Sequence, residues 1–84
     1  MSTLADLSPG HSATISEVIG DDAISVRLME MGLTDGESVR VVGRAPLGDP
    51  IEISIRGYKL SLRKVEAARI CVNSIAPAHA PPHA

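Results

Sequence analysis

Apolar and polar residues alternate with period two through most of the second half of the chain. In "IEISIRG", residues 51–57, Ile51, Ile53 and Ile55 share one face, while Glu52, Ser54 and Arg56 share the other. "YKLSLR" repeats the pattern, with Tyr58, Leu60 and Leu62 opposite Lys59, Ser61 and Arg63. "ESVRVVGRA" places Val39 and Val41 on one side and Arg40, Val42 and Arg44 on the other. Such alternation predicts half-buried strands. Gly57 supplies the tight reversal between the first two of these runs. A first strand is expected over residues 11–19, with Ala13 and Ile15 inward. Val18 falls out of step there, so a bulge is expected near Ser16 and Glu17. A last strand is expected over residues 69–73, with Ile70 and Val72 inward and Cys71 outward.

One stretch changes period. In "DDAISVRLMEMG", Ile24, Leu28 and Met31 stand at i, i+4 and i+7 and predict the apolar stripe of a helix. Asp21 or Asp22 can cap its start. Gly32 suits the left-handed position after its end, and Leu33 can fold back on Leu28. Residues 2–7 read as a short helical turn that Ser2 or Thr3 can cap, with Asp6 three residues after Thr3 as in a capping box, and with Leu4 and Leu7 covering the barrel or sheet. Residues 64–68 read as one further turn. "LSPGHSATI" and "LTDGESVRV" echo each other as a turn running into a strand. The echo predicts that Ala13 and Ile15 occupy the same relative face as Val39 and Val41. About five antiparallel strands with one inserted α-helix and short helical turns give a mainly β fold. Closing that sheet into a small barrel removes exposed edges.

Composition narrows the function. The chain has 84 residues and a net charge of −2, so one small domain is expected, without the basic excess that nucleic acid requires. It has one Tyr, no Trp and no Phe, which removes a base-stacking platform. A single cysteine fits a reducing cytoplasm, and no apolar run is long enough to insert in a membrane. Residues 1–73 form the expected domain. Residues 74–84, rich in Pro, Ala and His, read as an extended or disordered tail.

Catalysis finds little support. Cys71 and the histidines His11, His79 and His83 form no arrangement of nucleophile, base and orienting group, so no enzyme is expected. "PLGDP" in residues 46–50 lacks the length and the Lys-Ser/Thr of a phosphate loop and precedes a strand. Gly48 and Asp49 are expected to make a reversal there, leaving Leu47 at an exposed tip. No cofactor is required. A surface or intermolecular divalent-metal site, for Fe2+ or Zn2+, stays open as an alternative, with His79 and His83 as candidate ligands completed by Glu52 or His11. The row Arg40, Arg44, Arg56, Lys59 and Arg63 is either an ordinary solvated face or a docking surface for an acidic partner.

Taken in order, "R-L-x-x-M-G-L", "G-x-x-V-x-V", "A-P-L-G-D-P-I-E-I", "G-Y-x-L-S-L-R" and "E-A-x-x-I-x-V" resemble the ferrous iron transport protein A family, over about residues 4–72. The resemblance implies an SH3-like β-barrel with a helical insertion. It also implies a small cytoplasmic accessory protein of bacterial Fe(II) uptake. The implied partner is the membrane transporter ferrous iron transport protein B, through its cytoplasmic GTP-binding region or its transporter core. The inserted helix should leave an apolar groove against the barrel. The partner-binding residues expected there are Leu28, Met31, Leu33 and Leu47, with Arg27 and Arg44 at the rim. The competing reading is that Leu28, Met31 and Leu33 simply bury the helix. Two other functions stay open: a metal-responsive module, and an activator of GTP hydrolysis using Arg27, Arg44 or Arg56. A homodimer through the tail or a barrel face is a further expectation.

Overall fold

The structure is a computed structural model that describes residues 2–77. Six antiparallel strands form one sheet: β1 (Ser2–Thr3), β2 (Ser12–Val18), β3 (Ser38–Arg44), β4 (Ile51–Ile55), β5 (Tyr58–Leu62) and β6 (Ile70–Ala76). Their spatial order is β1-β6-β2-β3-β4-β5. Helix α1 (Ala23–Glu30) lies between β2 and β3, and α2 (Lys64–Ala67) lies between β5 and β6. The alternating faces are as the pattern predicts. Val39, Val41, Ile51, Ile53, Ile55 and Leu62 are all buried, together with Ala13, Ile15, Ile70 and Val72. Burial of each large side chain among them contributes about 1.5–3 kcal/mol, so the branched aliphatics hold the sheet without aromatic help.

The turns follow from their residues. Arg56 and Gly57 both take positive φ, 53° and 87°, between the paired Ile55 and Tyr58. This is the two-residue hairpin whose twist matches that of the strands. Across β2 and β6, Ile15 faces Val72 and Glu17 faces Cys71, which places the expected bulge at Ser16. Thr3 N–H donates to Asp6 Oδ2 at 2.9 Å, and Leu4 and Leu7 are buried, as the capped turn over Leu4–Asp6 requires.

The sequence echo is a structural one. Ala13 pairs with Val39. Around that pair, Gly10 N–H donates to Val41 O and Gly36 N–H to Ile15 O, both at 2.7 Å. Val41 N–H returns to His11 O and Ile15 N–H to Glu37 O, both at 2.9 Å. Gly10 and Gly36 share a φ of 90°. Two turn-into-strand units thus grip each other through reciprocal backbone bonds, and Leu7 and Leu33 are buried at equivalent positions.

Three expectations need correction. Cys71 is buried, not outward. It sits on a strand flanked by β1 and β2, and Ile70, Cys71 and Val72 are buried in succession, so both faces of β6 are covered there. Second, β6 continues to Ala76, which pairs with Ser12, so the last strand runs past its expected end at residue 73. Third, Ile24 is exposed and Ser25 is fully buried. Ser25 fits because its hydroxyl donates to Asp22 O at 2.8 Å while its N–H donates to Asp22 Oδ1 at 3.2 Å. The inward seam of α1 is therefore Ser25 and Leu28, one turn apart.

Candidate docking surface

Helix α1 ends as its glycine predicts. Leu33 N–H donates to Leu28 O at 3.2 Å and Gly32 N–H to Met29 O at 3.0 Å, with Gly32 at a φ of 101°. This double bond pattern is the Schellman motif, and it turns Leu33 back onto Leu28. Both leucines are wholly buried. They anchor the helix in the core, so Leu28 and Leu33 are corrected from candidate contact residues to core. Met31 is half-buried and packs against the same core. Tyr58 reinforces this corner by donating its hydroxyl to Met31 O at 2.5 Å.

Arg44 is also corrected. Its guanidinium donates to Ala5 O at 2.7 Å and Leu7 O at 2.5 Å, the carbonyls at the end of the first helical turn. These oxygens lack partners within so short a helix, and a cation suits that end of the peptide dipoles. Arg44 is a clasp on the backbone, half-buried, and not a rim charge. It also lines an open cleft of about 280 Å³ with Gly43, Ala45, Pro50, Glu52 and Ser61.

Arg27 and Leu47 do reach the surface, and α2 joins them. Arg27 forms an ion pair with Glu66. The other Glu66 oxygen accepts the Arg63 N–H at 2.8 Å and so caps α2. Asp49 Oδ1 accepts the Lys64 N–H at 3.0 Å and lies 3.4 Å from Arg63 Nε. Asp49 is therefore a helix cap supplied from a distant loop. The reversal itself is a turn in which Gly48 N–H donates to Ala45 O at 2.7 Å, so it begins earlier than Gly48 and Asp49. Leu47 stands at its tip, 97% exposed.

Between these two attachments sits Val65, 73% exposed and not signalled by the sequence pattern. On α1, Ile24 lies one turn before Arg27, on the same side of the helix, and is also exposed. Ile24, Val65 and Leu47 thus occur on three elements tied to one another by carboxylates. An exposed valine in a four-residue helix has no periodic signature, so only the fold reveals it.

The charged face divides. Arg56 pairs with Glu37 at 3.7 Å, Arg63 with Asp49, and Arg69 with Asp22 at 2.6 Å. Asp22 is held at a pKa of about 2, first by its hydrogen bond from Arg69 and then by the Ser25 N–H. Among the described residues, Arg40 and Lys59 of the predicted row have no carboxylate partner. No group of three or more His, Cys, Asp or Glu side chains could hold a metal ion among the described residues. His79 and His83 lie outside them. No described helix is long and apolar enough to cross a membrane.

Comparison with known proteins fits this architecture. Residues 2–74 match the family model "FeoA domain". A Porphyromonas gingivalis protein described as an Fe(2+) transport protein A/Fe(2+) transporter FeoB fusion protein is 40% identical over 72 residues. That match takes in 86% of this chain, which spans only 8% of the fusion protein. Among solved structures, Stenotrophomonas maltophilia FeoA complexed with zinc, described as an SH3 domain protein, superposes with a TM-score of 0.82. It is 33% identical, over 93% of this chain and 99% of that one. A FeoA-like protein from Clostridium acetobutylicum gives 0.82 at 31% identity, over 99% of this chain and all of its own. The six-stranded sheet, its inserted helix and the matched residues agree, and the chain belongs to the FeoA domain family.

Proposed function

We propose that this protein is a cytoplasmic accessory module of bacterial ferrous iron uptake that docks on, and modulates, a transporter of the FeoB kind. The observation carrying the reading is the Porphyromonas gingivalis fusion, in which a similar domain shares a chain with the transporter. Two partners that work together are often joined in one polypeptide, where the second binding event becomes intramolecular. The docking face is the surface formed by Ile24 and Arg27 of α1, Val65 of α2 and Leu47 at the loop tip. Apolar centres with a charged rim are what a polar-rimmed interface uses. No catalysis by the domain itself is invoked.

The test is retention of the purified protein by the transporter's cytoplasmic GTP-binding region, with GTP hydrolysis followed in parallel. Leu47→Asp and Val65→Asp should each reduce retention at least tenfold with an unchanged circular dichroism spectrum. Normal retention by both variants overturns the assigned face, and no retention of the unmodified protein overturns the partnership with that region. A second reading, a metal-responsive module, is favoured by the zinc complex of the Stenotrophomonas relative. It requires that Fe2+ or Zn2+ shift the protein's retention, and that His79→Ala with His83→Ala cancel the shift.

A further inference from the structure

The outer strand β5 ends the sheet, and its register fixes which backbone groups are left over. Ile55 and Tyr58 flank a two-residue turn, so they exchange both hydrogen bonds of a close pair. The pairs Ile53–Leu60 and Ile51–Leu62 follow at alternate positions and do the same. The N–H and C=O groups of Lys59 and Ser61 must then point away from β4. Neither residue's backbone bonds another element among the described residues. Both residues are exposed. The edge is thus a short template for one more strand.

The side chains around it state what that strand should be. Arg40, Ser54 and Lys59 stand in one row across β3, β4 and β5. Among the described residues Arg40 and Lys59 pair with no carboxylate, whereas Arg44 is taken up by backbone carbonyls, and only serine lies between Arg40 and Lys59. The opposite face of β5 carries Tyr58, 44% exposed, and the half-buried Leu60. A strand added here places alternate side chains beside Lys59 and the others beside Tyr58 and Leu60. The geometry points to an extended segment of a partner protein, alternating acidic and apolar residues, that adds to β5 as a seventh strand. This surface is separate from the α1–α2 face, and the inference does not depend on which transporter region docks there.

Two other occupants fit less well. A second copy paired about Leu60 would bring two Lys59 side chains and two Arg40 side chains onto one face, a like-charge arrangement that is unfavourable. The chain's own residues 78–84 contain no carboxylate side chain, and Pro81 and Pro82 have no N–H to donate. Lysine on an edge strand discourages indiscriminate pairing, and the same charge selects an acidic strand over a neutral or basic one.

The experiment uses the full chain, 15N-labelled, with a short blocked peptide of alternating Val and Asp. A Val-Lys peptide and a Val-Asn peptide serve as controls. Amide exchange at Lys59 and Ser61 should slow on adding the Val-Asp peptide, and the effect should weaken with salt. Binding of Val-Asn should be roughly fivefold weaker, the size of one or two cross-strand charge pairs. Lys59→Glu should reverse the preference to Val-Lys. Ser61→Pro deletes an outward N–H without touching the β4 ladder and should abolish protection. If Ser61→Pro fails to fold, the charge reversal at Lys59 decides alone. Absence of protection by Val-Asp, equal protection by Val-Lys, or protection that rises with protein concentration without peptide overturns the proposal.

Discussion

The β2–β3 junction and the α1–α2 side of the molecule are fastened in different ways. At the junction, four main-chain bonds run reciprocally between Gly10, His11, Ile15, Gly36, Glu37 and Val41. On the helical side, carboxylates do the fastening: Asp22 holds Arg69, Glu66 holds Arg27, and Asp49 caps α2. Backbone bonds ask little of side chains beyond a glycine where φ is positive. Carboxylate links ask for one particular residue at each end. The first region should therefore tolerate changes of pH and salt that loosen the second.

The strongest challenge to this contrast is Leu28→Ala. Leu28 is where the helical side enters the shared core, so its truncation should cost about 2–5 kcal/mol. Urea unfolding followed by circular dichroism measures it. If α1 were a detachable ornament, the loss would fall well below that range and exchange at Ala13 and Val39 would be unaltered.

Glycines set the next scale. Gly32→Ala and Gly36→Ala both force a side chain into left-handed backbone, which costs about 1–2 kcal/mol. A Cβ on Gly32 would lie 2.9 Å from Tyr58 Oη, whereas one on Gly36 meets nothing within 4 Å. Gly32→Ala should be the more destabilising of the two, through the lost Tyr58 bond to Met31 O. Equal losses in thermal melts would show that backbone strain alone governs both corners.

The smallest effect is one of pH. The Asp22 carboxyl is depressed from 3.8 to about 2, chiefly by Arg69. A carboxylate with a lowered folded pKa stabilises above its unfolded pKa, and that contribution is lost as pH falls through the folded value. Between about pH 4 and pH 2 the protein should lose more thermal stability than Asp22→Asn does. Parallel curves for the two proteins over that window would remove Asp22 from the account.

Much of the fold was legible because it rests on local signals. The isoleucine alternation of residues 51–55, Gly32 after the helix, and the twin turns at Gly10 and Gly36 each state their own geometry. The surface was harder to read. Ile24 fits an i, i+4 stripe with Leu28, yet the helix rotates to bury Ser25, whose hydroxyl finds its own acceptor in Asp22. Arg44 resembles its neighbours in the alternating row, but its partners are carbonyls of residues 5 and 7. Asp49 and Lys64 are brought together by the β4–β5 pairing, which no local pattern announces. Leu28 and Leu33 looked available for a groove because a sequence shows an apolar stripe without showing how completely it is covered.

Tyr58 gives the molecule its own optical gauge. It is the sole aromatic side chain, with no Trp or Phe to mask it. Its phenol bridges the strand at the sheet's open edge to the last carbonyl of the helical insertion. Phenol emission responds to whether the hydroxyl is hydrogen-bonded. One unlabelled fluorophore therefore watches the contact between strand and helix end and the threshold of the open edge at once.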